Sequence, residues 1–80
     1  MKTPQQKLRN WAKKNDLAMM SLESMLVAIR RCGYDSDLGG GFDGYYATIW
    51  KSSEAGQHIG KASSPSVAFR RAIQSAIKGE

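Results

Sequence analysis

Apolar residues near the end of the chain recur with the spacing of an α-helix. They lie at i, i+3, i+4, i+7 and i+8 and so share one face: Phe69, Ala72, Ile73, Ala76 and Ile77. Ser64 can cap the first turn, Pro65 suits the first helical position, and Gly79 suits the position after the last turn. The pattern predicts a C-terminal helix over residues 65–78 that packs its apolar face on a core.

Upstream of that helix the pattern alternates with the period of a β-strand. One face holds Tyr45, Ala47 and Ile49, and the other holds Tyr46, Thr48 and Trp50. A short run of turn residues separates this segment from a second one at about residues 57–62. So short a connection predicts an antiparallel β-hairpin over residues 45–62. Because both faces of the first strand are apolar or aromatic, we expect other elements to cover both faces of the sheet.

The first third of the chain has helical spacing again, over residues 4–32. Thr3 and Pro4 are typical of a helix start, and Gly33 is typical of a helix end. The stronger part is predicted at residues 17–32, where the apolar face is formed by Ala18, Leu22, Met25, Leu26, Ile29 and Cys32. Asn15 and Asp16 interrupt the pattern, so the segment is either one kinked helix or two helices.

Residues 33–44, GYDSDLGGGFDG, contain five glycines and three aspartates. This composition predicts a loop between the helical third and the hairpin. A phosphate-binding loop is excluded because the segment is acidic and lacks the Gly-Lys-Ser/Thr ending. A calcium loop fits poorly, since Gly39 replaces the third ligand and Tyr46 stands where a bidentate glutamate is required.

These segments together predict an α+β domain over residues 1–80. Its order is α-β-β-α, and the N-terminal helices and the C-terminal helix pack on the antiparallel hairpin. At 80 residues the chain is near the lower limit for independent folding, so a homodimer that pairs exposed hairpin edges is a natural way to enlarge the core.

Charge is distributed unevenly around the net value of +5. Residues 1–32 hold seven basic and two acidic side chains, residues 33–56 hold one basic and four acidic, and residues 57–80 hold four basic and one acidic. Basic ends around an acidic middle suit an anionic partner, either a nucleic acid or an acidic protein surface. An ordinary charged protein surface gives the same pattern.

The sequence offers little for catalysis. His58 is the single histidine and Cys32 the single cysteine, so no His/Cys set can hold zinc, and Cys32 extends an apolar helical face. The aspartates at 35, 37 and 43 fall in the predicted loop, where a catalytic geometry is hard to hold. We therefore predict a non-enzymatic protein with no cofactor and no metal site.

Cysteine use and hydropathy bear on location. A lone cysteine excludes an internal disulfide, which small secreted domains usually need. The basic N-terminus lacks the apolar core of a signal peptide, and no run approaches the length of a membrane span. We expect a cytoplasmic protein without a membrane partner.

The run YYATIWKSSEAGQHIGKASSPSVAFRRAIQSAI, residues 45–77, resembles the C-terminal half of the phage ABA-sandwich family of small phage and prophage proteins. The helix end at Cys32-Gly33-Tyr34 is also similar. The likeness covers about half of the chain. It implies a fold in which helices cover a sheet and a phage or prophage setting, hence the host-cell cytoplasm. It carries over no site residue, because the family has no general biochemical activity.

Two functions from different classes remain, with a small structural or assembly component as a third. The first is an accessory protein that binds a host protein and inhibits or redirects it, in host takeover or in countering a defence. Its partner-binding candidates combine aromatic anchors with basic side chains: Tyr45, Tyr46, Trp50, Arg30, Arg31, Lys61, Arg70, Arg71 and Lys78.

The second function is a nucleic-acid-binding regulator, for which the sequence pI near 9.7 is typical. Its phosphate contacts would come from Lys7, Arg9, Lys13, Lys14, Arg30, Arg31, Lys61, Arg70 and Arg71. The double-stranded-RNA-binding pattern requires a third strand that the sequence does not reveal. Convergence of the basic residues on one face would favour this function, and scattering would oppose it.

Overall fold

The computed structural model describes residues 3–51 and 56–78, and its element order confirms the α+β class. Helix α1 spans Pro4–Lys14, a 3₁₀ turn spans Leu17–Met19, and helix α2 spans Leu22–Arg31. Strands β1 (Tyr34–Gly41), β2 (Gly44–Lys51) and β3 (His58–Ala62) precede helix α3 (Pro65–Lys78). The strands form one antiparallel sheet in the order β1-β2-β3.

The helical third is two helices separated by a 3₁₀ turn. The Thr3 side chain caps α1 in a capping box with Gln6. The predicted start of the second helix at residue 17 is wrong by five residues. Met20 has an extended backbone, and the Ser21 hydroxyl accepts the N–H of Ser24, so α2 begins only at Leu22.

The predicted loop at residues 33–44 is wrong, because most of it is strand β1. Glycine disfavours a strand since it has no side chain to pack. Here β2 supplies the missing packing: the Tyr46 ring lies over Gly39, and the Tyr45 ring lies over Gly40, about where each glycine would carry a Cβ atom. Each tyrosine stands directly opposite its glycine, so the ring contacts favour this register of the Gly-rich strand and the aromatic strand.

Strand β1 changes the sheet from a hairpin to three strands. It turns into β2 through Phe42 and Asp43, and Gly44 follows with a φ of 122°, a conformation that favours glycine. The predicted antiparallel pairing of β2 with β3 is confirmed. The connection between β2 and β3 lies mostly at residues 52–55, outside the described residues.

A single core joins the three helices to one face of the sheet. Its buried side chains include Leu8 of α1, Met25 and Ile29 of α2, and Ile49 of β2, and most of the rest come from α3. Helix α3 packs so closely on β3 that a Cβ atom at Gly60 would overlap the α3 backbone. Within residues 3–51 and 56–78, no helix combines the length and apolar character needed to cross a membrane.

The expectation that both sheet faces are covered is wrong for the described part of the chain. All three helices share the core on one side, which leaves Tyr46 of β2 48 % exposed and Ile59 of β3 51 % exposed on the other side. Apolar residues on both faces of β2 therefore do not indicate that helices cover both faces of the sheet.

Candidate binding surface

The uncovered face of the sheet, here called the open face, is a small array of side chains in register. Cross-strand neighbours share a face of an antiparallel sheet, so the pairing register defines its members. They are Asp35, Asp37 and Gly39 of β1, Trp50, Thr48 and Tyr46 of β2, and Ile59 and Lys61 of β3. The open face thus has an aromatic central strand with an acidic strand on one side and a mixed apolar and basic strand on the other.

The turn between β1 and β2, here called the hairpin tip, extends this surface. Phe42 is fully exposed there, an arrangement that leaves a large apolar ring in water. A cleft of about 520 Å³ lies between the hairpin tip and the end of β3, and its lining includes Phe42, Tyr45, Tyr46 and Lys61. Three aromatic rings and one ammonium group therefore meet at one end of the molecule.

The predicted aromatic anchors divide between the two faces of β2. Tyr46 and half-buried Trp50 belong to the open face, whereas Tyr45 points to the opposite face beyond the helices and is 41 % exposed. The cleft at the hairpin tip nevertheless contacts both tyrosines. The sheet thus brings Tyr45, Tyr46 and Lys61 together and places Trp50 on the same strand.

Arg70 and Arg71 hold the fold together through backbone carbonyl groups. Arg70 donates from Nε to the Leu17 carbonyl at 3.2 Å and from Nη2 to the Ala18 carbonyl at 3.4 Å, which ties the 3₁₀ turn to α3. Arg71 donates from Nη1 to the Lys61 carbonyl at 2.6 Å, which ties α3 to β3. Part of the cationic edge predicted from this Arg pair is therefore engaged by backbone carbonyls, while the Arg71 side chain is also exposed.

Arg30, Arg31 and Lys78 lie at the other end of the molecule, here called the basic end. They occupy the last turns of α2 and α3, where cations interact favourably with the helix dipole. Helix α1 brings these ends together: Gly33 packs beside Pro4, and Gln5 donates to carbonyls in the last turn of α3.

Lys61 is remote from the basic end. Across the sheet, Lys61 is aligned with Tyr46 and Gly39. Gly39 is five residues along β1 from Tyr34, the first residue of β1 after α2. Five strand residues correspond to about 16 Å. The structure therefore divides the six basic partner-binding candidates into a basic end, two arginines that donate to backbone carbonyls, and one lysine beside the cleft. The other predicted phosphate contacts, Lys7, Arg9, Lys13 and Lys14, lie on α1, where Arg9 donates to the Ile77 carbonyl of α3 at 3.3 Å.

The fold keeps Cys32 and His58 apart. Cys32 is 8 % exposed at the end of α2, and burial raises the pKa of its thiol, with a partial opposing effect from the Lys7 ammonium. His58 lies on β3, which β2 separates from the β1 end near Cys32. No three His, Cys, Asp or Glu side chains in residues 3–51 and 56–78 could hold a metal ion.

The predicted site residues include neither Phe42 nor Ile59, the two exposed apolar residues of this surface, nor Asp35 and Asp37 of β1. The sequence pattern places Phe42 and both aspartates in a loop and Ile59 in a strand, without assigning any of them to a binding surface. For Phe42 a signal exists: a lone aromatic side chain inside GGGFDG has no apolar partner at strand or helix spacing. Such a residue is expected at an exposed turn.

Comparison with protein-family models, with curated proteins and with solved structures finds no match for this chain.

Proposed function

We propose that this chain is a non-catalytic domain that binds another protein through its open face and hairpin tip. The observation that carries the proposal is the exposure of Tyr46 and Ile59 on the sheet face away from the helices, together with the exposure of Phe42 at the adjoining hairpin tip. Clustered exposed apolar side chains mark interaction surfaces, whereas isolated ones do not.

The surface has the composition of an interface centre. Aromatic side chains dominate binding energies, and each large apolar side chain that moves from water into a contact contributes about 1.5–3 kcal/mol. Phe42 is free to contribute its whole ring, since no described core contact would be lost. Tyr46 and Ile59 each have about half of their surface available.

Charge limits the kind of partner. The open face places Asp35 and Asp37 along β1 and Lys61 along β3, so neither sign dominates. A polyanion would be repelled on the acidic side, whereas a protein surface can match both signs. Mixed charge around an aromatic centre therefore supports a protein partner at this site.

The identity of that partner as a bacterial host protein is supported by the resemblance of residues 45–77 to phage ABA-sandwich proteins. On this proposal the chain acts by occupying a functional surface of its target, which inhibits or redirects the target. A cytoplasmic site of action belongs to the same proposal.

A nucleic-acid-binding regulator is the second candidate, and two observations favour it. Strand β1 supplies the third strand that the double-stranded-RNA-binding pattern requires, and the basic end gathers Arg30, Arg31 and Lys78. The helix dipoles account for the same three residues without a ligand. This candidate predicts binding at the basic end, so the two functions use different surfaces.

The test compares tagged variants in pull-downs from bacterial lysate, with and without nuclease. Phe42→Ser removes the exposed ring of the hairpin tip, and we expect it to lose a protein that the wild type retains after nuclease treatment. Met19→Ser is the matched control, because Met19 is 82 % exposed on the helical side of the molecule. Both changes should leave stability within about 0.5 kcal/mol, since they alter exposed side chains.

Three outcomes decide between the candidates. A protein retained by the wild type and by Met19→Ser but not by Phe42→Ser supports the proposal. Equal retention by all three refutes the proposed surface. Nucleic acid that leaves with rising salt, and that is lost in a double Arg30→Glu, Arg31→Glu variant, supports the regulator instead.

A further inference from the structure

We propose that the outer edge of β1 binds an extended segment of the partner protein as a fourth strand, and that this segment alternates basic with apolar or small side chains. The inference rests on the proposed protein-binding function and adds to it the kind of segment that is held. Strand β1 is an edge strand of eight residues, and no described element pairs with its outer side.

The hydrogen-bonding alternation of the sheet shows which β1 groups point outward. The Ala62 carbonyl faces β2, because it lies 2.8 Å from the position of a Cβ atom at Gly44. Tyr45, which is paired with Ala62, therefore directs its own N–H and C=O toward β3. Its partner on β1, Gly40, then directs its backbone groups away from β2, and so do Leu38 and Ser36 at alternate positions.

The opposite edge of the sheet is partly occupied. The same alternation directs the Lys61 backbone away from β2, and its carbonyl already accepts a hydrogen bond from Arg71 at 2.6 Å. Strand β3 is also shorter than β1, with five residues against eight. A longer edge at β1, and an edge at β3 with one carbonyl already engaged, favour β1 as the place where a strand is added.

Charge specifies the added strand. Asp37 is exposed and presents its carboxylate on the open-face side of any fourth strand, and Asp43 adds a negative charge in the turn that follows β1. Lysine or arginine opposite these positions is favourable, and like charge is unfavourable. On the other face the fourth strand meets Leu38, which is 38 % exposed. A strand that alternates basic and apolar residues therefore places its basic side chains beside Asp37 and its apolar side chains beside Leu38.

A second copy of the chain is a poorer occupant than a basic segment. In an antiparallel pair of two β1 strands centred at residue 37, the two Asp37 side chains lie directly opposite each other. Centring the pair at residue 38 makes them diagonal neighbours, and centring it at residue 36 places each Asp37 opposite the Asp35 of the other copy. Charged residues on an edge are a common means of preventing such self-pairing.

The experiment uses the whole chain, ¹⁵N-labelled, and a synthetic peptide of eight residues in which Lys and Val alternate. We expect saturable binding, with slowed hydrogen exchange and shifted amide resonances at Ser36, Leu38 and Gly40. A peptide of identical composition with four Lys followed by four Val has the same charge without the alternation, and should bind about tenfold more weakly or not at all.

Two charge variants test the site. Asp37→Lys should weaken binding of the alternating peptide by about fivefold or more, in line with the energies of cross-strand charge pairs. Glu23→Lys, on the exposed surface of α2, makes the same change in net charge and should leave the affinity within about twofold.

Several results would overturn the inference. The first is no binding of the alternating peptide up to about 1 mM. The second is slowed hydrogen exchange at amides other than those of Ser36, Leu38 and Gly40. The third is an equal loss of peptide affinity in Asp37→Lys and Glu23→Lys. Concentration-dependent protection of the same amides without peptide would assign the edge to a second copy instead. Any of these results leaves the Phe42-dependent capture of a partner unaffected, so the two proposals fail separately.

Discussion

The contact between α3 and β3 gives the sharpest prediction for stability. In Gly60→Ala the added methyl group would overlap the carbonyl oxygen of Ala68 and the amide nitrogen of Ala72. Overpacking of a core costs about 1–3 kcal/mol when side chains can adjust. Because the atoms in the way are helix backbone, α3 itself must move, and we expect a loss of about 3 kcal/mol.

That loss is large for this chain. At about 0.05–0.15 kcal/mol per residue, 80 residues provide about 4–12 kcal/mol in total. With a urea slope near 1 kcal/mol per molar, typical of small proteins, the unfolding midpoint should fall by about 3 M. Circular dichroism during urea titration measures this directly, and the near-ultraviolet signal should weaken as α3 is displaced.

Gly41→Ala is the matched control, because a Cβ atom at Gly41 meets nothing within 4 Å. We expect it to stay within about 0.5 kcal/mol of the wild type. The reasoning is refuted if Gly60→Ala also stays within that margin, or if both substitutions destabilise equally. The second result would show that loss of glycine flexibility, and not close packing, sets the cost.

Two further predictions concern other contacts of the core. Arg70→Met should lower the free energy of unfolding by about 1–2 kcal/mol in urea titration, because it removes the two hydrogen bonds to the 3₁₀ turn, whereas Lys78→Met should be nearly neutral. Burial raises the pKa of Cys32 in the folded state, so the thiol contributes stability below its ordinary pKa of 9.0, and this is lost as pH rises through the folded-state value. Urea titrations at pH 8 and pH 10 should therefore show a larger loss for the wild type than for Cys32→Ala, and an equal loss would contradict the assigned burial effect.

Local signals in the sequence predicted the C-terminal helix with its observed bounds, Pro65–Lys78. Cap residues, the proline and the apolar face all agree there, and agreement between independent local signals makes a prediction reliable. The pairing of β2 with β3 followed from the short connection alone. The start of α2 was missed because Ser21 was not recognised as a cap inside an apolar pattern.

Strand β1 was missed for a different physical reason. Its glycines have no strand preference of their own, and the rings that stabilise them belong to Tyr45 and Tyr46 of the next strand. Local composition cannot report such packing, because it forms only when the two segments pair. The correct expectation required comparing GGG with YY across a two-residue turn.

The candidate surface was predictable only in part. Tyr46, Trp50 and Lys61 were named from residue type, and the structure places all three on the open face. Sequence could not show that Arg70 and Arg71 are engaged by backbone carbonyls, because their acceptors lie on other elements. A charged pair on a helix face has the same appearance in sequence whether it contacts a partner or its own fold.

The hydrogen bond from Arg71 to the Lys61 carbonyl also limits how far copies of this domain could associate. A sheet with two free edges can add chains at both sides without end, which is the route to fibres. Because Arg71 already occupies the Lys61 carbonyl, addition of a strand at β3 is less favourable than addition at β1. A sheet with one favoured edge adds a single strand more readily than it grows into a fibre.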